Sequence, residues 1–214
     1  LLPLCALSSR LSSLFRRVPK VDIMRAVAFF VTMFLVALTS TLRGADPLAA
    51  EARPVGLDGQ PVDPFQSGKA TVLLFVRTDC PISNRYAPEV RRLHDKYESQ
   101  GFNFWLVYPD PDETSDEIRQ HVKEFAYPCR VLRDPEHVMV RLSKASVTPE
   151  SAVFTTDGRL IYHGRIDDRY VDLGRKRPAP SARNLEEVLS SLARGEHVSA
   201  SSAPAVGCAI PTLP

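Results

Sequence analysis

Thr71-Val72-Leu73-Leu74-Phe75-Val76-Arg77-Thr78-Asp79-Cys80-Pro81-Ile82-Ser83-Asn84 is the stretch on which the fold turns. The run from Val72 to Val76 is short, continuous and apolar, which reads as a buried strand. Arg77-Thr78-Asp79 breaks it. Beyond Pro81, the residues Ile82, Tyr86, Val90, Leu93 and Tyr97 recur every three or four positions and share one face of a helix. Cys80 therefore stands where a buried strand hands over to a helix N-terminus. Unpaired N–H groups and the positive end of the helix dipole favour a thiolate there. Pro81 suits the first helical turn, where its missing N–H costs nothing. The alternative is an inert packed cysteine, the common fate of free Cys. Strand, Cys-Pro and amphipathic helix together favour the reactive thiol.

The chain has 214 residues, enough for one domain with a full core plus appendages. Its net charge of +2 offers no basic field for nucleic acid. The four cysteines, Cys5, Cys80, Cys129 and Cys208, form neither a C-x-x-C pair nor a zinc-like spacing, so no metal site is expected.

Residues 1–23 lack a domain's periodicity and read as a non-translated or disordered extension, with Met24 as the true start. Residues 24–52 have a basic head, an apolar run and a small-residue end, the layout of a secretory signal peptide. Cleavage is expected after Ala45 or, better, Ala52. An uncleaved membrane anchor is the alternative, and the apolar run is short for a span of about 20 residues. Either way the remainder is expected outside the cytoplasm, as a periplasmic or otherwise exported protein touching membrane only through an uncleaved N-terminus.

Residues 53–196 read as one domain and 197–214 as a flexible tail carrying Cys208. Asp58-Gly59 signals a turn. Residues 102–108 form a second strand, ended by Pro109-Asp110-Pro111-Asp112. Residues 115–125 form a helix capped by Ser115. A short strand over 129–132 and a short helix over 135–142 follow. Residues 151–155 and 160–163 make a hairpin through Asp157-Gly158. Residues 164–180 form a long basic loop, and 184–194 a closing helix. This α/β order makes parallel pairs first and antiparallel strands last.

That order, with a cysteine at the first strand-to-helix junction and an X-Pro before the hairpin, resembles the thioredoxin fold over about residues 57–194. FVRTDCPISN (75–84), VTPE (147–150), YHGRIDD (162–168) and AVGCAI (205–210) make it similar to the peroxiredoxin-like redoxin branch. The resemblance implies a three-layer α/β/α fold, with a central mixed sheet and a C-terminal antiparallel hairpin. It aligns Cys80 with the nucleophile of the thioredoxin C-x-x-C. It matches Pro149 to the cis-proline beside that nucleophile, with Thr148 presenting backbone to an extended substrate. It matches Cys208 to a family cysteine in a Gly-Cys tail and makes it a candidate resolving thiol. Two features depart from it. Ser83 stands where the second Cys of C-x-x-C belongs, and Thr78 is two residues before Cys80 without the peroxiredoxin Pro-x-x-x-Thr-x-x-Cys spacing.

A thiolate attacks disulfide sulfur or peroxide oxygen far faster than a thiol. The site must therefore lower the pKa of Cys80, expose it and hold its partner in line. Thr78 and Ser83 are candidate donors to the sulfur, Arg77 and Arg85 candidate positive neighbours, and Asp79 is expected to point away or cap the helix. Cys129 is expected in the core. His121, His137 and His163 show no ligand spacing. Asp167 and Asp168 are read as a solvated loop rather than a cation site. The function expected is an exported thiol-dependent oxidoreductase without cofactor. Its substrate is a protein disulfide or hydroperoxide, and its electron donor a thiol. The alternative is a non-enzymatic binding or metal-handling module, like copper chaperones of similar fold.

Overall fold

The computed structural model describes residues 53–65 and 68–213. The expectations for residues 1–52 lie outside them. The first half of the domain runs β1 (Ala70–Phe75), α1 (Pro81–Tyr97), a 3₁₀ turn (Glu98–Gln100), β2 (Phe102–Tyr108), α2 (Ser115–Glu124), β3 (Arg130–Arg133) and α3 (Val138–Ser143). The second half runs β4 (Val147–Thr148), β5 (Glu150–Thr155), β6 (Leu160–Gly164), β7 (Tyr170–Asp172), β8 (Arg175–Lys176), α4 (Asn184–Ala193), β9 (Ser201–Ala203) and β10 (Cys208–Ala209).

β1 is buried throughout and lies inside a six-stranded sheet of order β3-β2-β1-β5-β6-β9. It pairs parallel with β2, Ala70 opposite Phe102, and antiparallel with β5, Phe75 opposite Glu150. Side chains of β1 alternate between two apolar clusters, as strand geometry requires. Val72 and Leu74 join Val90 and Leu93 of α1, Ile118 of α2 and Leu185 and Leu189 of α4. Leu73 and Phe75 join Trp105, Met139 of α3 and Ile210. The sheet is thus mixed and covered on both faces, with the thicker helical layer on the α1 side.

Several element boundaries differ from the sequence expectation for local reasons. Thr114, not Ser115, caps α2, because its hydroxyl accepts from Glu117 N while Glu117 reaches back to Thr114 N, a reciprocal box. α3 begins at Val138 because the Asp134 carboxylate accepts from Val138 N at 2.8 Å and Val140 N at 2.9 Å. The segment after β6 is not one open loop. β7 and β8 pair as a small ladder, and Asp167 and Asp168 are buried rather than solvated. The Tyr86 hydroxyl donates to Asp167 at 2.5 Å. Hydrogen bonds from Ala182 and Ser181 hold the Asp168 carboxyl down to about 2. Both acids are thus clamps that fold the segment back on itself and on α1.

The tail differs most. Instead of a flexible appendage, residues 201–203 add a sixth strand parallel to β6, and residues 208–209 pair antiparallel with β4. A Ser/Ala-rich composition hid both, since neither strand buries an alternating apolar face of its own. Among the described residues no helix is long and apolar enough to cross a membrane.

Gly164 makes the sixth strand possible. Its φ is +138°, and a Cβ there would lie 2.0 Å from the Ala203 carbonyl oxygen. Gly164→Ala is expected to force β9 off the sheet and to cost about 1–3 kcal/mol, read as a lower denaturation midpoint. A change within error would show that β9 contributes nothing to the fold.

Candidate active site

Cys80 is the N-cap residue of α1, with φ −84° and ψ 107°, and Pro81 takes the first helical position. The sulfur faces the loop between β4 and β5. There the Thr148–Pro149 bond is cis and the Thr148 carbonyl lies 3.0 Å from Cys80 Sγ. Cys208 sits opposite Thr148 in the β10–β4 pair, which places its Sγ 2.6 Å from that of Cys80. Both cysteines carry free thiols. Gly207 permits this approach, since a Cβ there would fall 2.2 Å from the Thr148 carbonyl oxygen. The Arg77 guanidinium fastens the tail by donating to the Ala209 carbonyl at 3.3 Å, and Ile210 N donates to Ser146 O at 3.0 Å.

One expectation is corrected outright: Cys80 is not exposed. It has no accessible surface, and Cys208, itself half-buried, lies over it. Burial pushes the Cys80 thiol up. Hydrogen bonding from Cys208, with smaller help from Ser83 and Thr148, outweighs it and brings the group down to about 7. Neither the Ser83 N–H nor its hydroxyl closes a hydrogen bond of full geometry to the sulfur; Cys80 Sγ donates to Cys208 Sγ in the neutral pair, and Cys208 becomes the donor once Cys80 ionises. Burial and the neighbouring Cys80 push the Cys208 thiol up to about 12. The contact thus favours the thiolate on Cys80 over that on Cys208. The Ser83 and Thr148 hydroxyls are buried without a partner, and they border a sulfur that becomes an acceptor on ionisation.

The remaining candidates hold the loop rather than touch the sulfur. Thr78 N donates to the buried Glu113 carboxylate at 2.6 Å, and Thr78 O accepts from Asn84 Nδ2 at 3.1 Å. No bond among the described residues joins Thr78 to Cys80. Arg77 pairs with Asp79 at 2.9 Å and Asp110 at 3.1 Å, and the Asp79 side chain points outward without capping α1. Arg85 is exposed. Cys129 is buried in the core, and burial pushes its thiol up to about 12.

Glu113 and the Asn84–His121–Tyr108 chain were not singled out from the sequence. His121 Nε2 lies 2.8 Å from Asn84 Oδ1, and its Nδ1 lies 2.8 Å from the Tyr108 hydroxyl. An amide oxygen only accepts, so the proton sits on Nε2 and Tyr108 donates to Nδ1. The i, i+3 spacing of Ile118 and His121 is the sequence signal that could have put His121 near the core face of α2.

A family model described as Redoxin matches residues 46–172, more than half of the chain. The chain belongs to the Redoxin family. The match ends before Cys208. No curated protein matches the chain. Among solved structures, an uncharacterized conserved protein from Geobacillus kaustophilus is 24% identical, covering 76% of this chain and 90% of its own, with a TM-score of 0.64. A hypothetical protein from Sinorhizobium meliloti 1021 is 21% identical, covering 74% and 91%, with a TM-score of 0.62. A thioredoxin-like protein from Aeropyrum pernix is 15% identical, covering 79% and 99%, with a TM-score of 0.50. These likenesses establish the thioredoxin-like fold of this redoxin.

Two outcomes follow. In the reduced protein, thiolate absorbance at 240 nm should rise with a midpoint near pH 7. Cys208→Ala, which removes the donor and leaves Cys80 inside the fold, should move that midpoint upward; an unmoved midpoint would exclude Cys208 as the cause. His121 is held down to about 4 by burial, against an ordinary value of 6.5. Between those values the unfolded chain binds a proton that the folded chain refuses. Stability present above pH 6.5 should therefore fall as pH drops toward 4, by at most about 1.4 kcal/mol per pH unit. Urea midpoints from pH 7 to 4.5 should show this slope in the native chain and not in His121→Gln. An equal slope in both would assign the loss to other groups.

Proposed function

We propose that this redoxin is an exported thiol–disulfide oxidoreductase whose working couple is Cys80 and Cys208. The observation that carries this reading is the contact of the two sulfurs beside the cis Thr148–Pro149 bond. The Cys80 thiolate attacks one sulfur of a protein disulfide, forming a mixed disulfide and expelling the other sulfur as a thiolate. The Cys208 thiol gives up its proton and attacks Cys80 Sγ. A Cys80–Cys208 bond forms, and the substrate's second sulfur leaves with its electron pair. With a hydroperoxide, Cys80 takes the terminal oxygen and becomes a sulfenic acid as an alcohol leaves. Cys208 then displaces water to give the same disulfide. In both cases the cysteine pair loses two electrons, and an external thiol donor returns them.

Access to Cys80 requires the tail to lift, and its fastenings are few. The β10–β4 ladder is two residues long, with one Arg77 hydrogen bond and the buried Ile210 beside it. When it lifts, the Thr148 backbone becomes free for an extended substrate strand in the same place. Thr78 supports the loop from within, through Glu113 and Asn84. The copper-handling alternative gains a second thiol from Cys208. The oxidoreductase reading is preferred because the two sulfurs meet beside the cis Thr148–Pro149 bond.

Mild oxidation should join the Cys80 and Cys208 peptides in mass spectra. Insulin reduction or peroxide consumption should fall at least about a hundredfold in Cys80→Ser. Cys208→Ser should leave Cys80 overoxidised or trapped with substrate. Unchanged turnover in Cys80→Ser would refute the assignment.

A further inference from the structure

Cys208 is half-buried and keeps accessible surface. It lines a cleft of about 340 Å³ between the start of α1 and the β7–β8 ladder, and Cys80 is not among the lining residues. Pro81, Ile82, Tyr170 and Leu173 line it together with the exposed Arg85 and Lys176. No acidic side chain lines it. Neither Arg85 nor Lys176 has an ion-pair partner among the described residues. Of the carboxylates close to them in sequence, Asp172 accepts from Leu173 N, Asp79 is already paired with Arg77, and Asp168 is held by Arg177, Ser181 and Ala182. The apolar surface continues outward along the ladder, where Leu173 is 67% and Val171 40% exposed. That surface extends beyond what a small thiol would cover.

We propose that this cleft receives a cysteine-bearing polypeptide segment with acidic and apolar neighbours, and that the incoming thiolate attacks the sulfur of Cys208 rather than that of Cys80. This rests on the Cys80–Cys208 couple proposed above and names its entry side and partner chemistry. Attack on a disulfide needs an approach to one of its two sulfurs, and of the two cysteines only Cys208 keeps accessible surface. The step balances. The incoming thiolate forms a new S–S bond to Cys208, the Cys80–Cys208 bond breaks, and its electron pair leaves on Cys80. A second thiol of the partner then attacks its own sulfur in the mixed disulfide. Cys208 is released, and the partner is oxidised by two electrons as this protein is reduced. Cys80 suits the leaving role because its helix-cap site and buried hydroxyls accommodate the anion, and lower-pKa thiols leave faster. The tail need not lift for this half-reaction.

The test uses the oxidised full chain and two synthetic cysteine peptides that share one leucine, one carrying two glutamates and the other two lysines. After addition of peptide, acid quench and alkylation with N-ethylmaleimide, mass spectrometry locates the adducts. Peptide on Cys208 with maleimide on Cys80 is expected, and the reverse would overturn the entry side. The acidic peptide should reduce the protein at least about tenfold faster at low ionic strength, with the advantage fading in salt. Arg85→Glu with Lys176→Glu should abolish or invert that preference. Equal rates for the two peptides, with the disulfide present at the start, would overturn the cleft alone. If oxidation yields no Cys80–Cys208 disulfide, the couple itself fails. Cys80→Ser, offered the peptides as thionitrobenzoate mixed disulfides at Cys208, reads the charge preference without that disulfide. Loss of preference there also counts against the cleft.

Discussion

The two-residue ladder between β10 and β4 decides what surrounds Cys80. Pairing Cys208 with Thr148 places a tail sulfur, 128 residues away in sequence from Cys80, against the helix-cap sulfur. The consequences all run from that contact. Cys80 loses its solvent surface, gains a hydrogen-bond donor and sits beside the only cis bond in the described chain. The backbone edge that an extended substrate would use is filled by the protein's own strand. A single close approach thus sets the protonation and the access of Cys80 together, and Gly207 is the residue whose missing side chain permits it.

Around that contact the frame is stiff. β1 and β5 deliver Cys80 and the Thr148–Pro149 loop from adjacent strands of the same sheet. The buried acids Glu113, Asp134, Asp167 and Asp168 serve as anchors for backbone N–H groups, not as reagents. The ion pairs of Glu89 and Glu186 with Arg92, Lys96 and Arg183 tie α1 to α4 on the outer face. Charge in this molecule is spent mostly on holding loops and helices in register. What reaches the thiols is chiefly hydrogen bonding and burial.

The sequence carried the central strand, the helix after Cys80 and the hairpin, because each has a clear hydrophobic period and Gly or Pro punctuation. The pattern Ile82, Tyr86, Val90, Leu93, Tyr97 is the buried face of α1. Hidden were features set by tertiary contact. The strands of the tail have no period to read, and Glu113 lies in a run of acids that gives no sign of burial. The place of Cys80 at a helix start was legible. Its burial was not, because the covering residue comes from the far end of the chain. Asp167 and Asp168 misled for the same reason, since Tyr86, Ser181 and Ala182 that satisfy them are distant in sequence.

Ile210 lies two residues past Cys208 and is buried in the apolar cluster on the opposite sheet face from α1. A tail pinned there can fray at Cys208 without drifting away. In the proposed reaction the resolving thiol then acts as a short-leashed reagent, with an effective molarity far above that of any free thiol. Overoxidation of Cys80 would have to outrun a recapture that needs only the relaying of two strand residues. The leash also sets a limit: a substrate too bulky to fit beneath the lifted strand would be excluded by size, whatever its redox potential.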